Sequence, residues 1–334
     1  MKAPPSLIVF DMDGVLIDVS RSYRDVVRQT SRRFFDGATS AEELPEPLFS
    51  LSELAAVKQS GGLNNDWELT RLVLSLLISR VKLPVFKHHS DPWSQYREHI
   101  GRMDVLELGQ HLKTSSRPLL QLLEEVGKTP HPFVDHFYRK DIGQGNIIKQ
   151  MFQEIYLGSD RFETTYPVPV EMRRNSGYIT RETLLIDRST LEELSKQHTL
   201  AIATGRPRAE ADYPLDHFGL RPYFSVVLTL DDCVREERRR QNAAGDPPVS
   251  LSKPHPYMLE AAFARAGGKK QRSYYIGDMP DDMIAASRAN PPYRGIGLLL
   301  SAPDKAGLRQ DLLRAGADYI IDGFDEVNAL LAAD

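Results

Sequence analysis

One cysteine, Cys233, is all that 334 residues contain, so no disulfide can form within the chain and a reducing compartment, by default the cytoplasm, fits. Charge of one sign is lacking too. A formal net charge of -4 leaves no basic footprint, which argues against a nucleic-acid partner. Long apolar stretches are absent. The most apolar window, residues 72–86, is interrupted by Arg80 and Lys82, and the N-terminal residues show neither the basic region nor the apolar run of a secretory signal. No membrane span is expected. No internal repeat is found, and His88, His89, His131 and His136 have neither metal-ligand spacing nor accompanying acids. What remains is 41% hydrophobic and 26% charged, the balance of a globular protein, in a chain long enough for two domains.

Apolar runs at 7–10, 199–203, 225–230, 273–276 and 295–300 alternate with helix-like stretches such as 190–196 and 256–266. This is βα alternation, which predicts an α/β class with a Rossmann-like parallel sheet. The first run stands about 180 residues from the others, far beyond a usual crossover. An insertion is implied. The expected division is therefore a discontinuous core, residues 1–19 and 182–334, and an inserted domain, residues 20–181. Helical periodicity at 67–81, 106–112 and 118–126 makes the insert mainly α-helical. It is expected to lie over the site as a cap. The polar stretch 235–248, Arg-Glu-Glu-Arg-Arg-Arg and then Asn-Ala-Ala-Gly-Asp-Pro-Pro, reads as a helix end and a loop.

Chemistry-bearing residues gather where these strands end. Ser6-Leu-Ile-Val-Phe10 runs into Asp11-Met-Asp13-Gly14-Val15, putting two carboxylates at alternate positions past a buried strand. One carboxylate can attack while its neighbour moves a proton, although alone the pair serves equally as a turn or cap. Ala201-Ile-Ala-Thr204-Gly205-Arg206-Pro207 offers a hydroxyl and a glycine amide to a phosphoryl oxygen, or an ordinary side-chain turn. Ser252-Lys253-Pro254-His255-Pro256 brings a lysine to a helix start, where a solvated surface lysine is the plainer alternative. Tyr274-Tyr-Ile-Gly277-Asp278-Met-Pro280-Asp281-Asp282 ends another run in acids, which helix capping would equally explain.

The order Asp-x-Asp-Gly-Val, strand-Thr-Gly, Lys-Pro and Gly-Asp-x-x-x-Asp resembles the haloacid dehalogenase-like (HAD) superfamily of phosphohydrolases. The similarity covers residues before about 20 and after about 185, and the motif-poor insert matches in position the helical cap of the phosphoglycolate phosphatase-like branch, although it is larger. The resemblance implies Asp11 as nucleophile and Asp13 as acid and base. It implies Thr204 and Gly205 on phosphoryl oxygens, Lys253 neutralising charge between phosphate and Asp11, and Mg²⁺ held by Asp11, the Asp13 carbonyl and Asp278, with Asp282 in support. A hard, oxygen-rich site with room for water suits Mg²⁺. With three ionised aspartates and a dianionic ester the negative total is about -5, against about +3 from Mg²⁺ and Lys253. Arg206 could supply part of the difference by binding substrate, or pair with a nearby acid or lie exposed.

In the insert, Ser60-Gly61-Gly62-Leu63-Asn64-Asn65-Asp66-Trp67 places amides and an acid at a helix start. Asn65 or Asp66 is the ordinary N-cap there, while Asn64 and Asn65 are the candidates for contacting a leaving group. The expected activity is Mg²⁺-dependent hydrolysis of a small phosphate monoester, the partner being a phosphorylated metabolite. A dehalogenase fits less well, since it needs neither metal nor Asp13. A phosphomutase would use the same four segments. A phosphonate hydrolase would need an imine-forming lysine, for which Lys58 is the candidate, and a non-catalytic ligand-binding protein could keep the fold. The oligomeric state is left open by the sequence.

Overall fold

The computed structural model describes residues 5–60, 65–85, 89–244, 249–268, 272–302 and 304–333. The chain forms two compact units, Met1–Val19 with Glu182–Asp334, and Ser20–Arg181. Among the described residues the first unit carries the eight strands β1 (Leu7–Phe10), β2 (Ile17–Asp18), β3 (Thr183–Leu184), β4 (Thr199–Ala203), β5 (Val226–Leu228), β6 (Ser273–Gly277), β7 (Arg294–Leu298) and β8 (Tyr319–Ile321). Six of them make one sheet in the order β5-β4-β1-β6-β7-β8, with every neighbouring pair parallel. The α/β, Rossmann-like reading holds.

Both faces of β1 are buried, and its register fixes the geometry of the loop just past it. Phe10 stands opposite Ile202 of β4 and Ile276 of β6. Leu7 and Val9 join the core with Ala201, Leu228, Met258 and Leu259, while Phe10 meets Phe224 edge-on at 5.9 Å on the other face. Each such side chain contributes about 1.5–3 kcal/mol by leaving water, so Val9→Asp would disrupt the centre of the sheet. Because β4 and β6 leave β1 in opposite directions, the carboxyl end of β1 is the topological switch point, where open α/β sheets place their ligands. Just past that edge in the chain, β2 pairs antiparallel with β3, Ile17 opposite Leu184, where the chain leaves for the insert and returns from it.

Two features go beyond the sequence expectation. The sheet has a sixth strand, β8, and the β2–β3 ribbon is a second addition. In the polar stretch 235–248, residues 235–244 are the end of the helix Leu230–Ala244, as the sequence reads, held by Glu236 pairing with Arg239 and Arg240 one turn on, while residues 245–248 of the expected loop lie outside the described residues.

The second unit is helical. Its described helices are Tyr23–Arg33, Leu51–Gln59, Asp66–Ile78, Pro92–Ile100, Leu106–Thr114, Pro118–Val126, Pro132–Phe137, Ile147–Leu157 and Ser159–Thr165. Tyr23–Arg33 packs on Asp66–Ile78 and on Ile147–Leu157, with Tyr23 stacked on Tyr156 at 4.1 Å. Serine, asparagine and aspartate start several helices. Ser50 closes a capping box with Glu53, while Asp91 and Asn146 accept the amides of Ser94 and Lys149. No helix among the described residues is long and apolar enough to cross a membrane.

Candidate active site

Asp11 is the first residue past β1, and its amide donates to Ile276 O at 2.9 Å, so the sheet ladder continues one step and fixes the carboxylate at the edge. The loop then turns back at once: Leu16 and Ile17 both donate to Met12 O, and Gly14 adopts φ +75°. Glycine is required here for two reasons. Side chains rarely adopt that φ, and a Cβ on residue 14 would lie 2.1 Å from Asp278 Oδ2. Asp278 itself follows β6. Gly277 before it also has no room, because a Cβ there would sit 2.4 Å from Asp282 Cβ.

Lys253 ties these pieces together. Its Nζ lies 2.9 Å from Asp11 Oδ1 and 2.7 Å from Asp282 Oδ1, and it donates to the Tyr275 hydroxyl at 3.1 Å. The Tyr275 hydroxyl lies 2.9 Å from the same Asp282 oxygen and 3.3 Å from Ala203 O. Asp282 Oδ2 accepts the Met279 amide at 3.0 Å, fixing the start of the Pro280–Arg288 helix. Asp282 is thus occupied with lysine, tyrosine and its own helix, a supporting position. Asp281, one residue earlier, takes no part in this network; burial raises its carboxyl above the usual range.

Asp11, Asp278 and Asp282 are all buried, each offering an oxygen within 4.8 Å of the others. Burial raises the Asp11 carboxyl to about 8, against the opposing pull of Lys253 and with smaller upward pushes from Asp282, Asp13 and Asp278. Burial alone would lower the Lys253 ammonium, but Asp11 and Asp282 override it and hold the charge firmly. A carboxyl raised in this way gives up its proton less readily, which weakens it as a nucleophile. A divalent cation beside it reverses this, and a donor set made only of hard oxygens fits Mg²⁺. The residues that would hold it are Asp11, Asp278 and the backbone carbonyl of Asp13.

Past β4, Thr204 is buried, donates its amide to Leu228 O at 3.0 Å, and accepts the Arg206 amide on Oγ1 at 3.2 Å. That side-chain turn leaves the hydroxyl hydrogen for another acceptor. Gly205 is exposed, with nothing within 4 Å of its would-be Cβ. Arg206 takes the ion-pair alternative. It is buried, with Nε donating to Asp13 Oδ1 at 2.6 Å and its two terminal nitrogens gripping Glu182 at 3.1 and 3.0 Å. Neither Glu182 nor the Tyr275 hydroxyl is signalled by any motif in the sequence.

In the insert, Asn65 is the N-cap of the Asp66–Ile78 helix, its Oδ1 accepting the Glu68 amide at 2.8 Å. Asp66 pairs with Lys58 at 3.0 Å. Asn64, Gly61, Gly62 and His88 lie outside the described residues. His131 accepts the Phe133 amide, and His136 pairs with Gln95.

Residues 5–290 match the haloacid dehalogenase-like hydrolase family. The chain belongs to that family. As a HAD-like hydrolase it is 24% identical over 89% of its length to an imidazoleglycerol-phosphate dehydratase of Phytophthora nicotianae, and 26% identical over 40% to pyrophosphatase PpaX of Oceanobacillus iheyensis. The chain spans 44% and 53% of those two proteins, about half their length. Among solved structures, Northeast Structural Genomics Consortium target ZR25 aligns with a TM-score of 0.65 and 21% identity, over 99% of this chain and 98% of that one. Phosphatase Tt82 from Thermococcus thioreducens aligns at 0.51 with 19% identity, over 92% and 99% of the two chains. These two likenesses concern the HAD-like fold.

Proposed function

We propose that this HAD-like hydrolase is a Mg²⁺-dependent phosphatase acting on a small phosphate monoester, a phosphorylated metabolite, in the cytoplasm. The observation that carries the reading is the set at the carboxyl edge of β1, β4 and β6: Asp11 held 2.9 Å from the Lys253 ammonium, Asp278 alongside, and Asp13 two residues on. Asp11 attacks phosphorus, the bond from phosphorus to the ester oxygen breaks, and Asp13 gives its proton to the departing alcohol. Asp13, now a carboxylate, takes a proton from water; the resulting hydroxide attacks the aspartyl-phosphate, releasing phosphate and restoring Asp11. Thr204 Oγ1, the Gly205 amide and Lys253 would hold the phosphoryl oxygens. Mg²⁺, when bound, would neutralise charge between Asp11 and phosphate.

A phosphomutase would draw on the same groups. The phosphonate-hydrolase alternative is weakened by Lys58, whose ammonium is engaged by Asp66. The reading is tested by phosphate release from p-nitrophenyl phosphate, pyrophosphate and a panel of sugar and alcohol phosphates, with Mg²⁺ and after chelation. Mg²⁺-dependent release that is lost in Asp11→Asn supports it. No release from any ester by a folded, Mg²⁺-loaded protein overturns it.

A further inference from the structure

We infer that Arg206 is a positioning residue for Asp13, and that Glu182 in turn sets Arg206, so that proton transfer at this site depends on a three-residue relay ending where the chain returns from its insertion. The inference rests on the phosphatase reading and adds residues to it.

Guanidinium geometry carries the argument. The buried side chain, 2% exposed, donates from Nε to Asp13 Oδ1, grips both Glu182 oxygens with two prongs and bonds Glu210 O at 3.2 Å. The fork on Glu182 fixes the guanidinium plane, and a fixed plane fixes the direction of the Nε hydrogen. That hydrogen holds a single oxygen of Asp13, so the carboxylate loses its freedom to rotate. Oδ2 is left without a protein donor among the described residues, and it is the oxygen able to exchange a proton with a leaving group or water.

The arrangement is asymmetric in exposure. The Asp13 side chain is 32% exposed while those of Arg206 and Glu182 are at 1% and 0%, so the buried cation meets the open side of the site through Asp13. Backbone geometry supports the relay at both ends. Arg206 N binds Thr204 Oγ1 and Arg206 O accepts the Leu230 amide, pinning the loop past β4. Glu182 immediately precedes β3, which pairs with β2 only four residues beyond Asp13. An acid and base restrained in this way is worth more than a freely rotating one, because misplaced proton transfer forfeits much of the roughly 10²–10⁴-fold that such catalysis supplies.

The test separates positioning from mere support. Wild type, Arg206→Gln, Arg206→Lys, Glu182→Gln and the double variant Glu182→Gln/Arg206→Gln are checked for folding by circular dichroism and thermal melting. Each is then assayed by rapid mixing with 2,4-dinitrophenyl phosphate, whose leaving group needs no proton, and with glycerol phosphate, whose leaving group does. Arg206→Gln is expected to release about one dinitrophenol per site in a fast burst and then to turn over slowly. Its loss on glycerol phosphate should be about 10²-fold or more, since Asp13 has to act on both halves of that reaction. Glu182→Gln should show the same pattern more weakly, and Arg206→Lys should restore part of the loss. If Arg206→Gln does not fold, the double variant, which leaves no lone buried charge, carries the same expectation. Equal losses on both esters without a burst, or unchanged rates, in folded variants of an active enzyme overturn this inference alone. An inactive wild type overturns the phosphatase reading and this inference with it.

Discussion

Buried carboxylates occur in both units, and two groups of them are surrounded in contrasting ways. In the helical unit, Glu154 accepts the amides of Glu171 and Met172 and the Gln150 side chain, and Glu53 accepts the amide of Leu119 and that of Ser50 in its capping box. Each stitches a loop or helix start to a neighbour. In the sheet unit, Asp11, Asp278 and Asp282 are buried against one another, with one lysine among them. Backbone amides around a carboxylate are a structural device, for they satisfy a charge without adding another. Like charges gathered at strand ends have no structural merit by themselves and are arranged at the expense of stability, which is the physical signature of a reaction site.

The comparison is broken most directly at Asp11. Asp11→Asn should lower steady-state turnover on the order of 10⁴-fold or more, because an amide cannot take up phosphate and return it. The same variant should alter metal-free stability. Burial raises this carboxyl, so the folded chain holds its proton more tightly than the unfolded one; the stability it contributes is complete below about pH 4 and is lost as pH rises toward about 8. The wild-type melting temperature without metal should therefore fall relative to Asp11→Asn between those limits, and Mg²⁺ should close the gap. Parallel melting curves would count against the crowded-carboxylate account.

Next in size, Asp278→Ala or chelation of the wild type should reduce phosphate release by at least about 10²-fold, with added Mg²⁺ restoring only the chelated wild type. In the helical unit the effects should be on stability instead. Glu154→Ala strands three donors and should cost about 3 kcal/mol by denaturant titration, with turnover per folded molecule unchanged. A fall in turnover would erase the distinction between the two kinds of carboxylate. Smallest, Asn65→Ala should cost about 1 kcal/mol through the lost N-cap while leaving the ranking of phosphate esters as it was. A changed ranking would return Asn65 to the substrate contacts expected from its place in the sequence.

Most of the sheet is legible in the sequence because β1, β4, β6 and β7 are buried runs, and the first and third of them end in an acid or a glycine. The strand β8 escapes such a reading because Tyr319-Ile-Ile is three residues long and only Ile321 is fully buried, too little for a periodic signal. Two-residue strands such as β2 and β3 carry no pattern at all. Within the site, the aspartates and Lys253 lie in spaced motifs, but Glu182 is an ordinary acid between Arg181 and Thr183. Its partner stands 24 residues away, a separation that only the folded chain shortens. In sequence Tyr275 is one more ring in a buried strand, whereas in the fold its hydroxyl also supports Lys253. The charged run from Arg235 is legible as a helix end, and the pairings of Glu236 with Arg239 and Arg240 one turn on hold it in that form.

The placement of β1 between β4 and β6 also sets a timetable. A ribosome adds about 5–20 residues each second, so Leu7–Phe10 leaves the exit tunnel roughly 10–40 s before β4 and longer still before β6. Throughout that interval the most apolar strand of the sheet has no neighbour to pair with. The helical segment, contiguous from Ser20 to Arg181, meets all its own packing partners first. During synthesis, then, the segment bearing Asp11 and Asp13 is made well before the strands that flank it and settles only with them, and an unpaired Leu-Ile-Val-Phe edge is what a holding chaperone would find.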